Sequence, residues 1–130
     1  MARQILDEAR IHPAIRGFIA NLNLDLVQEV QAAVAANDVV IVGMGINPAP
    51  KKARELLDRH GIAYRYLEYG SYLSLWRRRT ALKMWTGWPT FPMIFVKGVF
   101  VGGASDLAKL HSSGGSLYFF FLLFRNAATL

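Results

Sequence analysis

The stretch from Trp88 to Asp106, WPTFPMIFVKGVFVGGASD, constrains this chain more than any other. Met93 to Lys97 and Val99 to Val101 are short apolar runs rich in Val, Ile and Phe, joined at Lys97-Gly98. Such runs bounded by Gly and Pro read as strands, and a Gly at the joint suits a tight reversal, so the stretch predicts a β-hairpin. Pro89 and Pro92 precede the first strand with Thr90-Phe91 between them. Gly102-Gly103 follow the second strand, and Ala104-Ser105-Asp106 then reads as a helix start with a side-chain oxygen poised at the cap. A proline-constrained loop and a helix N-terminus should therefore lie side by side at one edge of a sheet. That geometry offers free backbone N–H groups, a seat for a small carboxylate.

The rest of the chain supplies a sheet for this hairpin to join. Asp25 to Ala36 carries Leu26, Val27, Val30, Ala33 and Val34 at helical spacing, and Asn37-Asp38 ends the run. Val39 to Val42, VVIV, is an uninterrupted apolar run of the kind found in strands buried on both faces. A helix is predicted from Pro48 or Pro50, with Ala53, Leu56, Leu57 and His60 facing inward and Gly61 as its stop. Ala63 to Tyr69 reads as a strand, with Tyr64, Tyr66 and Leu67 its bulk and Gly70-Ser71 its close. Leu73 to Trp85 reads as a helix with Leu75, Trp76, Leu82 and Trp85 on its apolar side and Arg77, Arg78, Arg79 and Lys83 on its polar side. Ser105 to His111 is a further helix, Ser112 to Gly115 a break, and Leu117 to Phe124 another helix.

Before this frame, residues 2–21 read as one or two short helices broken near His12-Pro13, with Ile5, Leu6 and Ala9 on one face; a packing arm and a dimer contact are both open. The expected division is a helical arm over 1–24, the main domain over 25–116, and an apolar C-terminal helix over 117–130 packed on or extending the domain. A chain of 130 residues is long enough to bury a core as one domain. Leu117 to Phe124 is far shorter than the ~20 residues a membrane-spanning helix needs, so no membrane span is expected. The charged N-terminus lacks an apolar signal core, which points to the cytoplasm. A net charge of +6 speaks to solubility and general attraction for anions. His12, His60 and His111 are far apart and have no cysteine to join, so no metal site is expected.

In order, strand, helix, strand, helix, hairpin and helix make an α/β chain of thioredoxin-like type, a four-stranded mixed sheet flanked by helices. Thr90-Phe91-Pro92, the hairpin and Gly102-Gly103-Ala104-Ser105-Asp106 resemble the glutaredoxin family's glutathione site, where Thr-x-Pro and Gly-Gly-Cys-x-Asp recur. The longer run from Arg79 through Trp88 to Pro92 resembles the single-cysteine, monothiol branch. Asp38 to Gly114 can be laid on that pattern, but the chain contains no cysteine.

The resemblance places Asn47-Pro48-Ala49-Pro50 on the redox motif, with Asn47 at the nucleophile's position and Pro50 at that of the second cysteine. The basic residue often found ahead of the motif has Met44 or Gly43 in its place. An amide has no ionisable thiol, so it forms no mixed disulfide and does not ligate iron as a thiolate does. No catalytic residue, metal or iron–sulfur cluster is therefore expected. Asn47 either N-caps the following helix, with Pro48 at its first position, or hydrogen-bonds the sulfur of a bound thiol.

On the binding side the resemblance implies a glutathione-type site of Arg79, Thr90, Phe91, Pro92, Gly103, Ala104, Ser105 and Asp106. Phe91 would pair through its backbone with the cysteinyl part, and Pro92 would be the cis-proline. Ala104 and Ser105 would hold the γ-glutamyl carboxylate, Asp106 the ammonium, and Arg79 the glycyl carboxylate through its planar fork.

The function implied is a glutathione or glutathionylated-partner binding module, redox-inactive and possessing no thiol–disulfide exchange. Residual oxidoreductase or transferase-like activity stays open, as does a structural or assembly role through the N-terminal arm and the aromatic tail. The partner would be a small anionic thiol peptide or a protein, with a homodimer also open. Trp76, Trp85 and Trp88 among basic residues read as core or groove lining, so no specific nucleic-acid partner is expected.

Overall fold

Val39–Gly43 forms β1, and every residue of it is buried. The computed structural model describes residues 2–71 and 73–114. The apolar run pairs on both sides: parallel to β2 (Arg65–Glu68) and antiparallel to β3 (Met93–Val96), which in turn pairs antiparallel with β4 (Val99–Gly102). The sheet order is β2-β1-β3-β4, the mixed thioredoxin-like arrangement that the element order implies.

Alternation along β1 sorts the core into two layers. Val40 and Val42 face α2 (Leu24–Ala36) and α4 (Trp76–Thr86), packing with Leu26, Val30, Leu82 and Met93. Val39 and Ile41 face α3 (Pro48–Arg59) and α5 (Ala104–Gly114), packing with Ala53, Leu57, Ile94 and Leu107. Each such side chain removed from water stabilises the fold by about 1.5–3 kcal/mol, so a two-sided central strand contributes more per residue than any edge.

The hairpin turns at Lys97-Gly98, both with positive φ (52° and 81°), as a two-residue type I′ turn demands. Lys97 is fixed there by its backbone N–H on the Asp38 carbonyl (2.7 Å) and its ammonium on the Asp38 carboxylate (2.8 Å). The β3–β4 register shifts between Ile94 and Phe95, so β4 carries an extra residue before Gly102. Such a bulge bends the strand end and re-aims the chain that leaves it.

Several sequence expectations change here. Helix α4 begins at Trp76, and its first turn is inverted from the expected pattern: Leu75 and Trp76 are exposed, Trp76 at 58%, while Arg79 is buried at 5% exposure. Arg77 stacks its guanidinium over the Trp76 ring at 5.1 Å, and Arg78 pairs with Asp25 at 2.7 Å, which holds that carboxyl below its usual range. His60 lies exposed as the α3 C-cap and does not face inward; Gly61 follows with φ 66°. The N-terminal residues form a 3₁₀ turn at Glu8–Arg10 and α1 at Pro13–Asn21, capped by His12 Nδ1 on Ala14 N–H (3.0 Å). Ile5 and Leu6 precede any helix and are exposed; this arm instead anchors through Arg3, which donates to the Met84 carbonyl at 2.8 Å. A cation on the last turn of α4 also suits the helix dipole. Leu117 to Phe124 lies outside the described residues. No helix among the described residues is long and apolar enough to cross a membrane.

Two tyrosines tie β2 and its exit to their surroundings. Tyr69 donates to Glu29 of α2 at 2.7 Å, and Tyr66 donates to Glu68 at 3.0 Å. Burial, then the carboxylate neighbour, pushes both hydroxyls up, Tyr66 to about 12. An unfolded tyrosine ionises near pH ~10, so above that pH the unfolded chain binds fewer protons than the folded one and stability falls as pH rises towards 12. The expected outcome is that urea unfolding of Tyr66→Phe loses less stability across this alkaline window than the parent does. Equal losses in the two proteins would contradict it.

Candidate functional site

Because Val42 pairs with Met93, the loop leaving β1 and the loop entering β3 meet at one end of the sheet. There the Phe91–Pro92 peptide bond is cis. Phe91 is buried, and the Lys83 ammonium lies 5.9 Å from its ring centroid. Beside this loop β4 ends and α5 begins. Gly102 has φ 104°, and a Cβ on it would stand 2.7 Å from the Asp106 carboxylate, so this position requires glycine twice over. Asp106 reaches back to accept from Gly103 N–H at 2.9 Å, the helix-to-cap half of a capping box. The first bond inside α5 runs from Leu107 N–H to the Gly103 carbonyl, which leaves the Ala104 and Ser105 amides ahead of it.

Between the loop and this helix start lies a groove of about 620 Å³. Thr90, Phe91, Pro92, Gly103, Ala104, Ser105 and Asp106 all line it. Arg79 is not among the lining residues. Its guanidinium donates to the carbonyls of Tyr69 (3.0 Å) and Ser74 (2.6 Å), and burial lowers its pKa. The side chain that the family pattern assigns to a ligand carboxylate thus fastens the loop between β2 and α4.

The opposite wall is one the sequence pattern did not reveal. Ala49, Lys52, Glu55, Leu56 and Arg59 of α3 line the groove; Trp88, expected as core or groove lining, borders it too. Their spacing is that of a single helical face, a signal present in the sequence but masked by the inward residues Ala53 and Leu57. Lys52 and Arg59 make this wall cationic, with Glu55 between them.

Asn47 occupies the cap of α3. Its Oδ1 accepts from Ala49 N–H at 3.0 Å, and its Nδ2 makes a long contact of 3.5 Å to the Phe91 carbonyl. Pro48 and Pro50 carry no N–H. The first turn of α3 therefore offers Ala49 N–H, and Asn47 has taken it. The residue before it is strained: Ile46 sits at φ 64° with its side chain 77% exposed. A β-branched residue in the left-handed region is an outlier. Its neighbours hold it there, Gly45 N–H on the Gly70 carbonyl (2.6 Å) on one side and the Asn47 cap on the other. Among the described residues, no group of three or more His, Cys, Asp or Glu is arranged to hold a metal ion.

Residues 48–101 match the glutaredoxin family. A glutaredoxin-like protein of Dictyostelium discoideum is 43% identical over 100 residues, covering 77% of this chain and 81% of that protein. The mitochondrial monothiol glutaredoxin-5 of Schizosaccharomyces pombe is 32% identical over 92 residues, 67% of this chain and 63% of that one. The fold is similar to that of buckwheat glutaredoxin in its glutathione complex, with a TM-score of 0.64 at 22% identity over 76% of this chain and 90% of the other.

The strain at Ile46 is testable. Glycine adopts this backbone freely and little buried surface would be lost, so Ile46→Gly should raise stability by about 1 kcal/mol. Thermal or urea unfolding measures it; a destabilised variant would mean that the Ile46 side chain has a packing role.

Proposed function

The chain belongs to the glutaredoxin family, and from that premise we propose that it is a binding module for glutathione or a glutathionylated partner, working by recognition and not by thiol–disulfide exchange. The observation that carries the proposal is the groove. The cis Phe91–Pro92 loop and the leading amides of α5 line the same cavity. A γ-glutamyl carboxylate would be received by the Ala104 and Ser105 amides, where the helix dipole favours negative charge. The ligand's ammonium would meet Asp106, whose carboxylate also holds Gly103 N–H. The Phe91 backbone would pair with the central residue of the ligand; its carbonyl has two lone pairs, so the long Asn47 contact leaves one for other use.

Chemistry at sulfur is what the chain gives up. Thiol–disulfide exchange needs a thiolate, and the chain has no cysteine. At the position where the family carries its nucleophile, the Asn47 carboxamide is committed to the helix cap. The ligand in this reading is held at its γ-glutamyl end and along its central peptide group, and keeps its sulfur intact.

Amide chemical shifts of the ¹⁵N-labelled protein, followed during titration with reduced glutathione, test this directly. Saturable changes centred on Phe91, Ala104 and Ser105 are expected. No change at millimolar ligand would refute the binding reading. Asn47→Cys extends the test: it frees Ala49 N–H and places a thiol at the helix start, where the thiolate is favoured. The variant should gain glutathione-dependent disulfide reduction.

A further inference from the structure

The neighbouring face of α3 lines another cavity, which shares no lining residue with the groove. It measures about 340 Å³ and is lined by Met44, Ile46, Asn47, Pro48, Lys51, Arg54, Tyr66 and Glu68. Lys51 and Arg54, three residues apart on α3, share this side of the helix. Arg54 is positioned in advance: its guanidinium lies over the Tyr66 ring, 4.1 Å from the centroid. Its Nε is buried and has no hydrogen-bond partner, which is uncommon for a buried donor on a charged group. Neither Lys51 nor Arg54 forms an ion pair among the described residues. Glu68, the one acid of the wall, already accepts the Tyr66 hydroxyl. The remaining wall is apolar, and it includes Ile46, the side chain that the strained backbone pushes outward beside the cations.

We infer that this cavity is a second binding site, which takes a carboxylate carried on a short apolar stem. The guanidinium fork of Arg54 matches a planar carboxylate, Lys51 adds a second positive charge, and Met44, Ile46 and Pro48 receive the stem. Glu68 sets the choice of anion, because its charge opposes a phosphate dianion more than a carboxylate monoanion. Two sources share this chemistry: a free branched-chain acid, and the C-terminus of a peptide ending in an apolar residue. Asn47 lines this cavity, and its Nδ2 reaches the carbonyl of Phe91 in the groove, so a ligand here and one in the groove would flank the same helix start.

The test is an amide-shift titration of the full chain with isovalerate, with N-acetyl-glycyl-leucine, and with the C-terminal amide of that dipeptide. Saturable shifts at Ile46, Lys51 and Arg54 are expected with the carboxylates and not with the amide. Response to isovalerate alone identifies the small acid as the source, and response to the dipeptide acid identifies a chain terminus; either supports the site. Lys51→Gln and Arg54→Lys should each weaken binding roughly fivefold or more, the second because it keeps the charge but loses the fork. No shift with either acid, equal response to the amide, or parent-like binding by both variants would overturn the inference. A glutathione titration of the same samples at Ala104 and Ser105 reports on the groove separately, so failure of one reading is distinguishable from failure of the other.

Discussion

Antiparallel pairing of β1 with β3 is the constraint on which the site depends. With Val42 opposite Met93, the chain leaving β1 and the chain entering β3 have to meet at the same end of the sheet. Hydrophobic burial on both faces of β1 holds that register, since a shift by one residue would exchange Val40 and Val42 for Val39 and Ile41 between two differently shaped layers. The bulge in β4 then brings Gly102, Gly103 and the start of α5 to the same end. Groove, helix cap and cis-proline loop all depend on one strand pairing and one extra residue.

Within that frame polar side chains are committed to backbone groups. Arg79, which the sequence resemblance assigns to a ligand carboxylate, satisfies two backbone carbonyls in the interior and stabilises the loop over Tyr69 to Ser74. Asn47, which the sequence resemblance lays on the nucleophile's position, is a cap whose side chain answers the helix with one end and reaches the Phe91 carbonyl with the other. Positive charge lines both cavities along α3: Lys52 and Arg59 on the groove, Lys51 and Arg54 on the adjoining cavity. The family fold persists around Asn47, a residue that caps a helix and carries no thiol.

How much of this the sequence disclosed depends on how local each determinant is. Strand β1, the hairpin with its Lys97-Gly98 turn and the Asn47-Pro48 helix start were legible because burial, positive φ and capping are decided by a few adjacent residues. Arg79 was not. Three consecutive arginines look alike in sequence, and only the packing of α4 against the loop after β2 separates the buried one from Arg78, paired to Asp25, and Arg77, stacked on Trp76. Trp76 departs from the expected apolar side for the same reason: periodicity names a face, but the start of α4 shifts which residues occupy it. The helical spacing of the α3 wall is masked in sequence by the inward Ala53 and Leu57, and nothing in one chain's order says that α5 stands across from it.

The central claim is that the proposed groove recognises a ligand's backbone and γ-glutamyl carboxylate and makes no use of its sulfur as a reacting group. Calorimetric titration with S-methylglutathione beside reduced glutathione tests this most directly. Methylation removes the thiol proton and the thiolate while leaving both carboxylates, the ammonium and the peptide groups in place. The account predicts saturable binding of both, with dissociation constants within about a factor of two, since no charged contact is lost. A loss of about tenfold or more on methylation would show that binding depends on the free thiol and would contradict it.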